Sequence, residues 1–348
     1  MKQTLLNSAP NRKRMVILIG TAIIPAVIIL VLAFALHPGL REKPEEPLKS
    51  ITIAVPTLPH SGLMFIAMSK NFFQDEGLDI KFQPYLYGKP ALQALLDGKA
   101  DLAISADTPI VLAALKGENF LVVAEIFRSE QNTAIIARQD KGISTPRDLK
   151  GKKIGVSKGT NGEFFLSAFF SVHQIAGNEA DILDLKPDEM VEALTAGKID
   201  AAATWHPMIF QLKQRLGERG VMFSGETFYK ESFAVSAAAG WVKNNPDSVD
   251  KILRALVRAE GFAADSPDES LNILAKALKM DKTVLGEFWT LFDYRVSLTQ
   301  ALLINLENQA RWAIQTRLTV TGAIPNFMPY FYTDGLKRVK FDAVTLIN

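Results

Sequence analysis

The sequence predicts an α/β fold of two similar lobes, each built on a parallel, doubly wound sheet, behind an N-terminal transmembrane helix. Three observations predict it. From residue 50 onward, short apolar strand-like runs alternate with stretches of helical spacing. A half-pattern then recurs. Residues 93–105 read QALLDGKADLAIS and residues 192–204 read EALTAGKIDAAAT, an offset of 99 that matches Gly98 to Gly197, Lys99 to Lys198 and Asp101 to Asp200. Two occurrences at so long a period mean two related lobes, not a solenoid. Finally, residues 15–36 carry no charge. As a helix they span ~33 Å, enough to cross a bilayer core.

Residues 1–14 hold Lys2, Arg12, Lys13 and Arg14 and no acid. A basic flank stays on the cytoplasmic side, so residues 15–36 read as a single-pass anchor in the inner membrane, with the remainder in the periplasm. A cleaved signal, with Ala33-Phe34-Ala35 as its small-x-small site, is the competing reading. Signal cores run only ~7–15 residues, which favours the uncleaved anchor. Residues 37–49 (HPGLREKPEEPLK) are rich in proline and charge and read as a linker.

Residues 50–55 (SITIAV) form the first strand, and residues 63–71 have helical spacing. Strands follow at 78–82, 100–105 and 121–126, with helices at 90–96 and from Thr108-Pro109. There Thr108 stands as N-cap and Pro109 at the first helical position. The second unit opens with GKKIGVSKGTNGEFFLSAFF at 151–170: a strand at 153–157, a glycine-bounded loop at 158–162, then a helix. Thr160 is its expected N-cap, and Glu163, three residues on, completes a capping-box pattern. Residues 132–138 (NTAIIAR) and 232–238 (SFAVSAA) read as two extended crossings between lobes. The expected division is 50–137 for the first lobe, 138–235 for the second, and 236–348 for completion of the first with C-terminal helices. Helical spacing at 248–262 and 299–316 makes Trp289, Phe292, Trp312 and Ile314 core residues.

Composition excludes several classes of function. With 48% hydrophobic and 22% charged residues the chain is globular, and a net charge of +2 gives no basic surface for nucleic acid. It contains no cysteine. That removes disulfides, thiolate metal sites, a cysteine nucleophile and a lipidated N-terminal cysteine. No nucleophile–base triad, no paired carboxylates in one loop and no metal-ligand spacing stands out. The expectation is a protein without cofactor or metal that binds and does not catalyse.

In open α/β sheets, ligands sit beyond the carboxyl ends of the strands. Four loops qualify, at 56–62, 105–109, 158–162 and 204–208. They contribute Thr57, His60 and Ser61; Ser105, Asp107 and Thr108; Gly159, Thr160 and Asn161; and Trp205 and His206. Each has a structural alternative: Thr108 and Asp107 as helix caps, Trp205 as core, the histidines as surface groups. Together they are polar donors with one aromatic, which suits a small polar organic ligand between the lobes. Glycines in the 158–162 loop allow close approach, and the helix start beyond offers free N–H groups to an anion or polar oxygen. Glu163 is expected to be structural.

These residues resemble a known family. GLMFIAMSKNFFQDEGLDI at 62–80 is similar to the Ala-x-x-x-Gly-Phe-Phe-x-x-Glu-Gly-Leu signature of the nitrate/sulfonate/taurine-type substrate-binding proteins of ABC importers. That group also includes binders of thiamine-pyrimidine precursors. DGKADLAISADTP at 97–109 is similar to its Gly-x-x-Asp strand and proline turn. DLKGKKIGVSKGTNGEFFL at 148–166 is similar to its second-lobe opening, and GKIDAAATWHPMI at 197–209 to its Asp-Ala-x-x-x-Trp-x-Pro turn. The resemblance covers about 50–335. It implies a type II periplasmic-binding-protein fold, a small organic anion or polar solute held between lobes, and an ABC permease as partner. Three positions depart: Glu163 where histidine is frequent, His206 where glutamate is frequent, and Asn71 in place of glycine. The rival classes are a biosynthetic enzyme or a ligand sensor on the same fold. The cysteine-rich motif of the thiamine-pyrimidine synthase type has no counterpart here.

Overall fold

The structure is a computed structural model that describes residues 48–224 and 228–347. The basic segment 1–14, the run 15–36 expected as a membrane helix, and nearly all of the 37–49 segment expected as a linker lie outside the described residues. Among the described residues no helix is long and apolar enough to cross a membrane.

The first run comprises β1 (Lys49–Pro56), α1 (Gly62–Ser69), α2 (Phe72–Asp75), β2 (Leu78–Tyr85), α3 (Gly88–Leu96), β3 (Leu102–Ala106), α4 (Asp107–Leu115) and β4 (Phe120–Ser129). The second comprises β5 (Thr133–Arg138), β6 (Lys153–Val156), α5 (Asn161–Val172), β7 (Asp181–Asp184), α6 (Pro187–Thr195), β8 (Ala201–Trp205), α7 (Met208–Leu216) and β9 (Gly220–Phe223). The chain returns through β10 (Glu231–Ala238). It ends in α8 (Ala239–Asn244), α9 (Pro246–Asp265), α10 (Pro267–Leu278), α11 (Lys282–Trp289), α12 (Gln300–Gln315) and α13 (Thr333–Val339).

Two five-stranded sheets result, ordered β2-β1-β3-β10-β4 and β7-β6-β8-β5-β9. Four strands of each run the same way, as the alternating pattern predicts, and three of these pair directly as parallel neighbours. The fourth position is antiparallel in both. β10 runs between β3 and β4, and β5 between β8 and β9. Each sheet is thus mixed, and each is completed by a strand adjacent in sequence to the other. This moves the switch points. Residues 133–137, read from sequence with the first lobe, pair wholly in the second sheet. Residues 231–235, read with the second lobe, pair in the first. An apolar run marks a strand, but its partner is chosen by long-range pairing, and the sequence pattern carries no trace of that choice.

The repeated half-pattern has a common physical purpose. Gly98 and Gly197 hold left-handed φ of 70° and 71° after α3 and α6, where a side chain would be strained. Three residues on, the Asp101 carboxylate accepts from the Thr52 N–H at 2.8 Å, and the Asp200 carboxylate accepts from the Lys153 N–H at 2.9 Å. In both lobes the aspartate pins the entry of the third strand to the first. Asn71 departs from glycine at a φ of 58°, a left-handed position that asparagine tolerates best among residues with a Cβ.

The helix α4 begins two residues earlier than the Thr108-Pro109 signal suggests. Ala106 is its N-cap, and Asp107 its first residue. At α3, a Cβ on Gly88 would lie 2.9 Å from the Ser105 Cα, so only glycine lets this helix start against the end of β3. The two lobes are in contact along their seam. Leu58, from the loop after β1, is packed in the apolar cluster of the second lobe with Ile136, Trp205 and Ile209. Phe164 of α5 meets Trp312 of α12 edge-on at 5.2 Å. Trp312 is buried as expected, whereas Trp289 is half-buried.

Candidate functional site

Glu231 is the first residue of β10, placed where the returning chain enters the first sheet. It is fully buried. Its Oε2 accepts from Asn132 Nδ2 at 2.8 Å and Thr133 Oγ1 at 2.7 Å, both at the outgoing crossing. Its Oε1 accepts from Asn161 Nδ2 at 2.8 Å, on the first turn of α5, and lies 3.5 Å from His60 Nε2. Three side-chain donors thus converge on this one carboxylate, whose oxygens act as their acceptors. Glu231 therefore joins both crossings, the loop after β1 and the second-lobe helix.

The network also assigns the His60 tautomer. The Glu231 contact turns the Asn132 amide so that Nδ2 is the donor, and the same Nδ2 stands 2.7 Å from His60 Nε2. Nε2 must then accept, which puts the ring proton on Nδ1. His60 is sandwiched by aromatics, with Phe233 stacked at 4.2 Å and Phe127 tilted at 4.7 Å. That packing holds its orientation.

Around this centre several buried polar atoms have no protein partner among the described residues: His60 Nδ1, Ser61 Oγ, Asn132 Oδ1, Thr204 Oγ1, Trp205 Nε1 and His206 Nδ1. Each such atom costs about 1–3 kcal/mol of desolvation when left unmade. All six belong to the loop after β1, the outgoing crossing or the end of β8 and the turn that follows it. His206 stacks on Phe288 of α11 at 4.4 Å. Burial pushes its pKa down to about 3, so it is neutral at ordinary pH. Its peptide bond to Pro207 is cis.

Some predicted site residues meet here and others do not. His60, Ser61, Asn161, Trp205 and His206 converge on the seam. Trp205 presents an unpaired Nε1, while its ring is core in the second lobe. Thr57 is exposed, and only its backbone N–H is engaged, with Tyr85. Ser105 is buried at the end of β3, its hydroxyl turned to the neighbouring Ala106 carbonyl. Asp107 and Thr108 form a structural tie behind the seam. The Asp107 carboxylate accepts from Tyr229 Oη, Asn305 Nδ2 and the Ser232 N–H, and Thr108 Oγ1 donates to Gln309 of α12. Burial, reinforced by the charge of Glu231, pushes Asp107 up to about 7 against those donors.

Thr160 requires a correction. It sits at the N-cap of α5, but its hydroxyl accepts nothing from the helix. It donates instead to the Ser157 carbonyl at 2.6 Å. The Glu163 carboxylate accepts from the Gly159 N–H at 2.6 Å, one residue before the expected capping-box partner. The left-handed Gly159, φ 69°, turns its N–H inward to make that bond possible. Gly159 belongs to a different feature, a cavity of about 600 Å³ on the flank of the seam. Lys89, Leu112, Lys158 and Val320 also line it. Lys89 Nζ donates there to the Lys158 carbonyl and links the lobes at the surface.

Sequence reasoning missed Asn132, Thr133, Thr204 and Glu231. The signal was present for all four: Asn132 and Thr133 open the 132–138 run, Glu231 immediately precedes the 232–238 run, and Thr204 opens the 204–208 loop, so each stands at a crossing or a strand end.

Two lobes on related sheets, crossed by two strands, make up the periplasmic-binding-protein fold. The alkanesulfonate-binding protein from Xanthomonas axonopodis pv. citri bound to MOPS has the same fold, at a TM-score of 0.72 and 19% identity over 82% of this chain and 99% of that one. The periplasmic aliphatic sulphonate binding protein from Escherichia coli superposes at 0.67, with 19% identity over 79% and 95%. In sequence, a binding protein from Brucella abortus is 28% identical over 63% of this chain and 68% of its own. Residues 59–270 match the NMT1/THI5 like family, and the chain belongs to it.

Proposed function

We propose that this protein is an extracytoplasmic solute-binding protein that closes on a small polar solute and hands it to an ABC permease, without chemical change. The set of unpaired buried polar atoms on both sides of the seam carries the reading. A solute placed there completes hydrogen bonds to both lobes at once, and only in the closed form. Its binding energy is therefore spent on the open–closed equilibrium. The two crossings are the hinge by which the lobes would separate. Relatives support the class: an aliphatic sulfonates-binding protein from Bacillus subtilis is 25% identical over 64% of this chain, and a taurine-binding periplasmic protein from Escherichia coli 28% over 43%.

Thermal melting of the full chain in detergent, against sulfonates, nitrate, bicarbonate, taurine and pyrimidines, tests the function. A true ligand at 100 times its Kd adds ~2.7 kcal/mol. The expected result is a rise in Tm of roughly 5 °C or more with a narrow chemical set, and recovery of the ligand unaltered. No shift with any compound, or turnover of the one that binds, overturns the reading.

The uncharged run 15–36 behind its basic flank supports a single-pass anchor in the inner membrane, with the lobes in the periplasm. Mass spectrometry of the membrane fraction is expected to find peptides from both sides of the run. A mature N-terminus near Leu36 would replace the anchor by a cleaved signal.

A further inference from the structure

The seam has a charge character that narrows what it holds. Three carboxylates are buried among the described residues, Asp107, Glu125 and Glu231. Arg138 is the one buried lysine or arginine among them. It is consumed elsewhere, by Asp140 and by the carbonyls of Leu194 and Thr195. The two seam histidines add no charge: Asn132 sets His60 as an acceptor at Nε2, and His206 is held neutral by burial. A bound anion would meet the Glu231 carboxylate with no opposing cation.

The acceptors tell the same story. Glu231 offers about four lone-pair sites and its neighbours fill three. The remaining capacity is on Oε1, beside His60. Asn132 Oδ1 is a second acceptor, fully buried and unpaired. Both require a donor. The unpaired Nδ1–H of His60 and Nε1–H of Trp205 require acceptors, and Ser61 and Thr204 take either role. The complement is a compact group with N–H donors on one side and lone pairs on another.

We propose that the solute is anchored by a nitrogen group rich in N–H, an ammonium, amidinium or ring amino group, directed at Glu231 and Asn132. The inference rests on the solute-binding reading and deepens it. Glu231 supplies the counter-charge, and Asn132 reports closure because it also holds His60. A sulfonate or other oxyanion can be part of such a solute, facing Trp205 and His60, but it is not the anchor.

Matched pairs titrated into the unmodified full chain test this: taurine against ethanesulfonate, acetamidine against acetate, and benzamidine against benzoate. Each pair shares a skeleton and differs in the nitrogen group. The nitrogen member is expected to bind at least tenfold more tightly wherever a pair binds, and nitrate should not bind. Glu231→Gln should reduce that preference by about tenfold. Its amide would face the Asn161 and Asn132 donors, so its fold is checked first, and the pairs on the unmodified chain decide if it melts early. An anionic member that binds as tightly as its partner, or binding of nitrate or ethanesulfonate alone, overturns the inference while the solute-binding reading stands. Silence from these pairs and from the wider solute panel overturns both.

Discussion

Replacing Phe288 by alanine should destabilise the protein by about 3–5 kcal/mol, the usual cost of removing a buried phenyl ring and leaving its cavity. Phe288 is fully buried on α11. It stacks on His206, meets Phe292 edge-on at 5.7 Å and lies 6.4 Å from Phe210. His206 and Phe210 belong to the second lobe, whereas α11 follows the return of the chain to the first. The ring therefore contributes to packing within one lobe and across the seam. Tm should fall by roughly 10 °C. The closed form should lose more than the open one, so small-angle scattering should give a larger radius of gyration. A loss below about 1 kcal/mol with unchanged dimensions would show that the seam does not depend on this ring.

Replacing His206 by phenylalanine should remove an acid sensitivity. The folded protein holds His206 at a pKa of about 3, while the unfolded chain returns it to the ordinary histidine value of 6.5. Between those values the unfolded state binds a proton that the folded state refuses. Stability from this group is complete above about pH 6.5 and is lost as pH falls toward 3. At ~1.36 kcal/mol for each pH unit, the full loss is on the order of 4–5 kcal/mol. Asp107 acts in the opposite sense, since a raised carboxyl weakens the fold as pH rises from about 4 to about 7. That contribution is common to both proteins and cancels in their difference. Phenylalanine keeps a ring for Phe288 to stack on. Melting curves between pH 8 and pH 4 should therefore diverge, with the wild type losing more on acidification. Parallel curves would mean that His206 is protonated in the folded protein without cost.

The sequence by itself determined the α/β class and the existence of two related lobes. Those features are written locally. Alternation marks strands, Gly98 and Gly197 end helices, and Asp101 and Asp200 recur because each pins two strands of its own lobe. His60, Asn161 and His206 were legible for the same reason, since they follow strand ends. Tertiary structure alone decided which sheet receives β5 and β10, because pairing partners are chosen across the whole chain. It also decided the centre of the site. Glu231 meets Asn132 from 99 residues away, and Asn132 meets His60 from 72. Thr160 shows the limit at short range: its spacing to Glu163 is that of a capping box, yet its hydroxyl turns to Ser157. A carboxylate at the head of an apolar strand is a surface group or a buried anchor according to what packs over it. Here Glu231 is buried, and Asn161 of the second lobe donates to it.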